Sequence, residues 1–114
     1  MSVALPSPLT RPDQDAADQP KTRILPPWNV VLLDDNDHSY DYVIEMLMTL
    51  FGHSGLDALL MAEEVDLRGR VVVFTTHRER AELERDRIHG FGADPRIAHC
   101  KGAMSAVIEP AHGA

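Results

Sequence analysis

Five consecutive residues, Asp34-Asp35-Asn36-Asp37-His38, are the stretch of this sequence best equipped for chemistry. Crowded carboxylates repel one another, and the repulsion must be offset by turn hydrogen bonds, by the amino terminus of a following helix or by a cationic partner. Catalytic readings find little to work with elsewhere. The six histidines, His38, His53, His77, His89, His99 and His112, show neither the close helical pairing nor the paired cysteines of a zinc site. His99 and Cys100 are neighbours in the chain, and adjacency alone does not set a base on a thiol at catalytic geometry. No Gly-x-Ser-x-Gly and no phosphate-binding Gly-rich loop with Lys-Ser or Lys-Thr is present. The expectation is therefore a binding protein, with no enzymatic activity, cofactor or metal. With 11 Lys and Arg against 18 Asp and Glu, the net charge of -7 opposes nucleic-acid backbones and anionic membranes. A single cysteine, Cys100, excludes an intramolecular disulfide. Neither a long apolar run nor a signal-like start appears, which predicts a cytoplasmic protein.

The elements that position the acidic loop follow from periodicity. From Met1 to Pro26 the chain carries five prolines among polar residues and predicts a disordered tail, leaving 27–114 as the folded domain. Trp28 to Leu33 is an apolar, β-branched run that stops at Asp34, as a buried strand meets a polar loop. Ser39 is placed to cap a helix with apolar positions Val43, Met46, Leu47, Leu50 and Phe51, stopped by Gly52. Ser54 with Asp57 starts a second helix, in which Leu56, Leu59, Leu60 and Val65 are read as the apolar stripe, and Gly69 ends it. Val71 to Phe74 reads as a second strand. Thr76 with Glu79 reads as the capping box of a charged third helix reaching about His89, and Met104 to Ile108 alternates as a last strand. This order packs best as one small sheet with helices on one face, an α+β domain.

Two ligand readings of the acidic loop compete with a plain solvated turn. Asp34, Asn36, His38 and Glu45 stand at calcium-loop spacing, yet histidine is a poor calcium ligand, Ser39 replaces the required glycine, and a strand precedes the loop where a helix is needed. Val31-Leu32-Leu33-Asp34-Asp35, with Phe74-Thr75-Thr76 and Gly92-Ala93-Asp94, resembles a response-regulator receiver domain. That alternative lacks the phosphoacceptor aspartate at the end of a central strand, and the folded part is short for a doubly wound sheet.

Taken in order, the motifs resemble the ClpS adaptor family. Trp28 to Asn36 resembles its opening strand and Asn-Asp-Asp loop, Tyr42 to Leu47 with Phe51 its first helix, and Val65-Asp66-Leu67-Arg68-Gly69 its Val-His-x-x-Gly. Ala81-Glu82 and Met104 to Glu109 resemble the third helix and the last strand. The resemblance implies a three-stranded antiparallel sheet with three helices, and an adaptor that binds the free amino terminus of a substrate protein and delivers it to a Clp AAA+ unfoldase of the ClpA or ClpC kind. It implies that Asp34, Asp35, Asn36 and Asp66 hold the terminal ammonium, although Asp34 replaces an asparagine and Asp66 a histidine. Val43, Ala62, Val65 and Met104 would line the pocket for the first side chain. Ala62 stands where a methionine often borders that pocket, which implies wider tolerance of β-branched residues. Glu79, Glu82 and Glu84 would form the unfoldase-docking face, with the chain acting as a monomer.

Overall fold

The computed structural model describes residues 25–112, so the tail expected over 1–26 lies outside the described residues except for its last two. Six elements follow in the order β1 (Trp28–Leu33), α1 (Tyr40–Phe51), α2 (Gly55–Arg68), β2 (Arg70–Thr76), α3 (Arg78–His89) and β3 (Ser105–Pro110). The sheet order is β2-β1-β3 and both pairings are antiparallel. β1 is thus the central strand, which accounts for its unbroken apolar run: Val30, Val31 and Leu32 are all fully buried. Val30 and Leu32 join the core beneath the helices with Met46, Leu47, Ile88 and Met104. Val31 belongs to the opposite face, flanked by its half-exposed cross-strand partners Val72 and Val107. An Arg70–Glu109 ion pair at 2.7 Å links the two outer strands across that face.

The helix starts were written locally. Ser39 Oγ accepts from the Tyr42 N–H at 3.1 Å, and Ser54 Oγ from the Asp57 N–H at 3.0 Å. Gly52 and Gly69 close α1 and α2 in the left-handed region, at φ 73° and 82°, where a Cβ is strained. None of the described helices is long and apolar enough to cross a membrane.

Three expectations need correction. Thr76 does not cap α3: it pairs with Trp28 as the last residue of β2, and His77 occupies the cap position without a side-chain hydrogen bond. The last strand starts one residue later and runs further than Met104 to Ile108, because pairing with β1 continues to Pro110 opposite Trp28. The largest difference is in α2. Its buried residues are Ala58, Ala62 and Val65, while Leu56 and Leu60 are 65% and 53% exposed. Small residues let α2 lie close to its neighbours, so Leu56 and Leu60 of the expected stripe face outward, while Leu59 is half-buried and Val65 is in the core.

Candidate functional site

The acidic loop is pinned at both ends. The Asp34 N–H donates to the Gly69 carbonyl at 3.1 Å, which holds the end of β1 against the end of α2. Inside the loop, the Asn36 N–H donates to Asp34 Oδ1 at 3.3 Å and the Asp37 N–H to Asp35 Oδ1 at 3.0 Å. These Asx turns absorb part of the carboxylate charge and carry Asn36 into the left-handed region at φ 63°, which asparagine tolerates.

His38 anchors the loop from beneath. Its side chain is 3% exposed, with Nδ1 2.8 Å from Asp35 Oδ1 and Nε2 2.7 Å from the Gly102 carbonyl. The ring lies 4.6 Å from that of Tyr42, whose hydroxyl donates to the Gly92 carbonyl at 2.6 Å. Burial pushes the Tyr42 hydroxyl up to about 12.

A second anchor is Asp94, which is fully buried. Its Oδ2 accepts from the Ser39 N–H and Oγ–H, both at 2.8 Å, and its Oδ1 from the Arg96 N–H at 3.0 Å and Nη1 at 3.3 Å. Burial by itself would raise its pKa. The donors from Ser39 and Arg96 outweigh burial and hold the carboxyl down at about 2. The 90s loop is thereby tied to the start of α1, one residue before Tyr40.

Above the anchors, the Tyr40 hydroxyl donates to Asp66 Oδ2 at 2.8 Å, joining the first turn of α1 to the last turn of α2. The Tyr40 hydroxyl is pushed up, first by this hydrogen bond, then by burial and by the negative charges of Asp66, Glu63 and Asp34. Asp66, in the last turn of α2, is thus brought near Asp34, whose N–H bonds to Gly69 at the end of that helix. Asp35 spends one oxygen on His38 and is one-third exposed, while Asn36 lies exposed at the tip of the loop. The arrangement offers several carboxylate oxygens to a small multi-donor cation.

The expected pocket residues are buried. Val43, Ala62, Val65 and Met104 are 1 to 4% exposed and share one core cluster. Ala62 faces that core, whereas Met61 is only partly buried against it. The expected docking acids separate. Glu79 is exposed and Glu82 is held by Arg78 at 3.3 Å, but Glu84 is fully buried between Arg80 and Arg87, with Arg87 Nη1 2.9 Å from Oε1. Glu84 is thus an internal ion-pair centre of α3 and cannot present itself to a partner. A cleft of about 480 Å³ opens beside Glu79, lined also by Trp28 and by Arg78, whose guanidinium stacks 4.8 Å from the Trp28 ring. Tyr40 and Asp94 were not expected at the site, and His38 was expected in the loop but not as its buried anchor. Ser39 as a cap pointed to the start of α1, but contacts to residues 26 and 55 positions away leave no local signature.

A family model described as ATP-dependent Clp protease adaptor protein ClpS matches residues 24–95, more than half of the chain. The chain belongs to the ClpS family. It is similar to the ATP-dependent Clp protease adapter protein ClpS of Streptomyces avermitilis, 29% identical over 94 residues, which cover 79% of this chain and 88% of that one. The adapter of Mycobacterium marinum is 32% identical over 66 residues, 58% of this chain and 65% of that one. Among solved structures, Agrobacterium tumefaciens ClpS2 bound to L-phenylalaninamide superposes with a TM-score of 0.64 at 20% identity, over 75% of this chain and 98% of that one. The fold is thus the ClpS fold. Its antiparallel sheet rules out the receiver alternative, which requires parallel strands. As a ClpS family member, the chain is an adaptor of the Clp protease system, a family of adaptors and not of catalysts.

Proposed function

We propose that this ClpS family member binds the free amino terminus of substrate proteins at Asp34, Asp35, Asn36 and Asp66, and delivers those proteins to a Clp AAA+ unfoldase. The observation that carries the reading is that the end of β1 at Asp34 is bonded to Gly69 at the end of α2, whose last turn carries Asp66, itself held by the Tyr40 hydroxyl, while Val43 and Val65 on the same two helices are buried in the core. A free α-amino group, with a reference pKa of roughly 7.7 to 8.0, is largely ammonium at neutral pH and presents three donors. Charge-assisted hydrogen bonds to carboxylates contribute about 1.5 to 3 kcal/mol each. The first side chain supplies the rest, since burying a Leu or Phe is worth roughly 1.5 to 3 kcal/mol. Phenylalaninamide, the ligand named for the Agrobacterium protein, has this same pairing of a free amine with a large apolar side chain.

In this reading the Tyr40 hydroxyl stays on Asp66 and orients it, while the four buried residues part to receive the first side chain. Glu79 and Glu82 serve the unfoldase-docking face, next to the cleft under Trp28. The stretch before Leu25 acts as a tether during delivery, and the protein works as a cytoplasmic monomer.

Delivery is tested with a purified ClpA- or ClpC-type unfoldase and its peptidase. The adaptor should accelerate degradation of a folded reporter beginning with Leu, and leave unchanged the same reporter beginning with Glu. Equal rates for the Leu reporter with and without the adaptor would contradict the delivery step.

A further inference from the structure

The outward face of α2 carries an apolar ridge that the amino-terminus site does not use. Leu56, Leu60 and Leu67 are 65%, 53% and 83% exposed. At about 100° per residue these three lie within roughly 40° of one another, and about 180° from the buried Ala58, Ala62 and Val65. The ridge is about 16 Å long at 1.5 Å per residue. Single exposed leucines on a surface are ordinary, whereas three aligned on one helix stripe are the form of a contact face.

The charges beside the ridge specify the partner. Exposed Glu63 interrupts the stripe between Leu60 and Leu67, and exposed Asp57 and Glu64 run along one flank, with Arg68 the cation at the end of the helix. A second copy would bring the same acids against themselves, and the net charge of -7 works against such a pairing. An anionic lipid surface meets the same repulsion. A segment that alternates apolar residues with Lys or Arg satisfies both the leucines and the acids.

We propose that Leu56, Leu60 and Leu67 form a docking ridge for a basic amphipathic helix of a partner protein, on the side of α2 opposite its buried face. The ridge adjoins the amino-terminus site, Leu67 following Asp66 in the chain, but uses none of its residues and stands whether or not that site functions as proposed.

The probe is a fluorescent 18-residue amphipathic helix of Leu and Lys, acetylated so that it offers no free amino terminus, with a Leu and Glu peptide of the same pattern as control. By anisotropy, the wild type should bind the Lys peptide at least tenfold more tightly than the Glu peptide. Replacing the ridge by Leu56→Gln, Leu60→Gln and Leu67→Gln together should weaken that binding at least tenfold. Because these side chains are exposed, the variant should keep its melting temperature. Amide shift mapping on the wild type gives an independent reading: changes on adding the Lys peptide should concentrate on Leu56 to Leu67. Undiminished binding by the triple variant, or shifts spread over the other acidic surfaces, would overturn the proposal. So would a wild-type dimer in sedimentation that the triple variant abolishes, or capture of the wild type by phosphatidylserine vesicles.

Discussion

Asp94 allows the sharpest quantitative prediction, because its burial and its donors can be set against each other. The carboxylate is fully buried and accepts from the Ser39 N–H and Oγ–H and from the Arg96 N–H and guanidinium. Its pKa falls from the ordinary 3.8 to about 2. At roughly 1.36 kcal/mol per tenfold change in proton affinity, the charged form contributes about 2 kcal/mol to stability. A pKa lower in the folded state than in the unfolded state means that the contribution is complete above about pH 4. It drains away as the pH falls towards 2. The perturbation is Asp94→Asn, which keeps the shape, removes the charge, and turns an amide N–H₂ towards groups that donate. Urea denaturation at pH 6, 4, 3 and 2 should show the variant less stable by about 2 kcal/mol at pH 6. That gap should close to near zero at pH 2. Other carboxylates titrate in the same window, so the difference between the two proteins is the informative quantity. A gap that stays constant across this range would refute the assignment of the low pKa to the Ser39 and Arg96 donors.

Further outcomes follow from the site and its supports. Tyr40→Phe removes the hydroxyl that orients Asp66, and should weaken binding of Leu-initiated peptides by roughly tenfold, about one hydrogen bond, without moving the melting temperature. Unchanged or tighter binding in anisotropy would count against that role. Ala62→Met narrows the proposed pocket wall. The wild type should bind Ile-initiated peptides within about tenfold of Leu-initiated ones, and the substitution should widen that ratio, as titration of both peptides would show. Glu84→Ala should lower stability by about 1 to 3 kcal/mol in urea melts, since it empties a buried position and separates Arg80 from Arg87. Glu79→Lys should leave stability unchanged and weaken binding to the unfoldase in a pull-down.

Much of the domain was legible in the residues themselves. Ser39, Ser54, Gly52 and Gly69 mark helix ends by hydrogen bonding and backbone conformation that depend on immediate neighbours, and each marks an end in the structure. The run Trp28 to Leu33 reads as a buried strand because a central strand is covered on both faces. What escaped was decided by tertiary packing. Thr76 has the side chain of a cap, but strand pairing with Trp28 claims it first. The leucines of α2 promise a core face, yet the close approach of α2 selects Ala58 and Ala62 and turns Leu56 and Leu60 outward. At the site, the acidic loop stood out by charge alone. Its supports did not, because His38 reaches Gly102 and Asp94 reaches Ser39 across long stretches of chain. Glu84 resembled its exposed neighbours until Arg80 and Arg87 were seen to close over it.

The most direct test of the central claim compares one peptide in two chemical states. A fluorescent decapeptide beginning with Leu should bind the wild-type protein when its amino terminus is free. Acetylation, which removes the charge and two of the three donors, should weaken binding by about a hundredfold or more, the equivalent of two charge-assisted hydrogen bonds. Equal affinity for the free and acetylated peptides would contradict recognition of the terminal ammonium by Asp34, Asp35, Asn36 and Asp66.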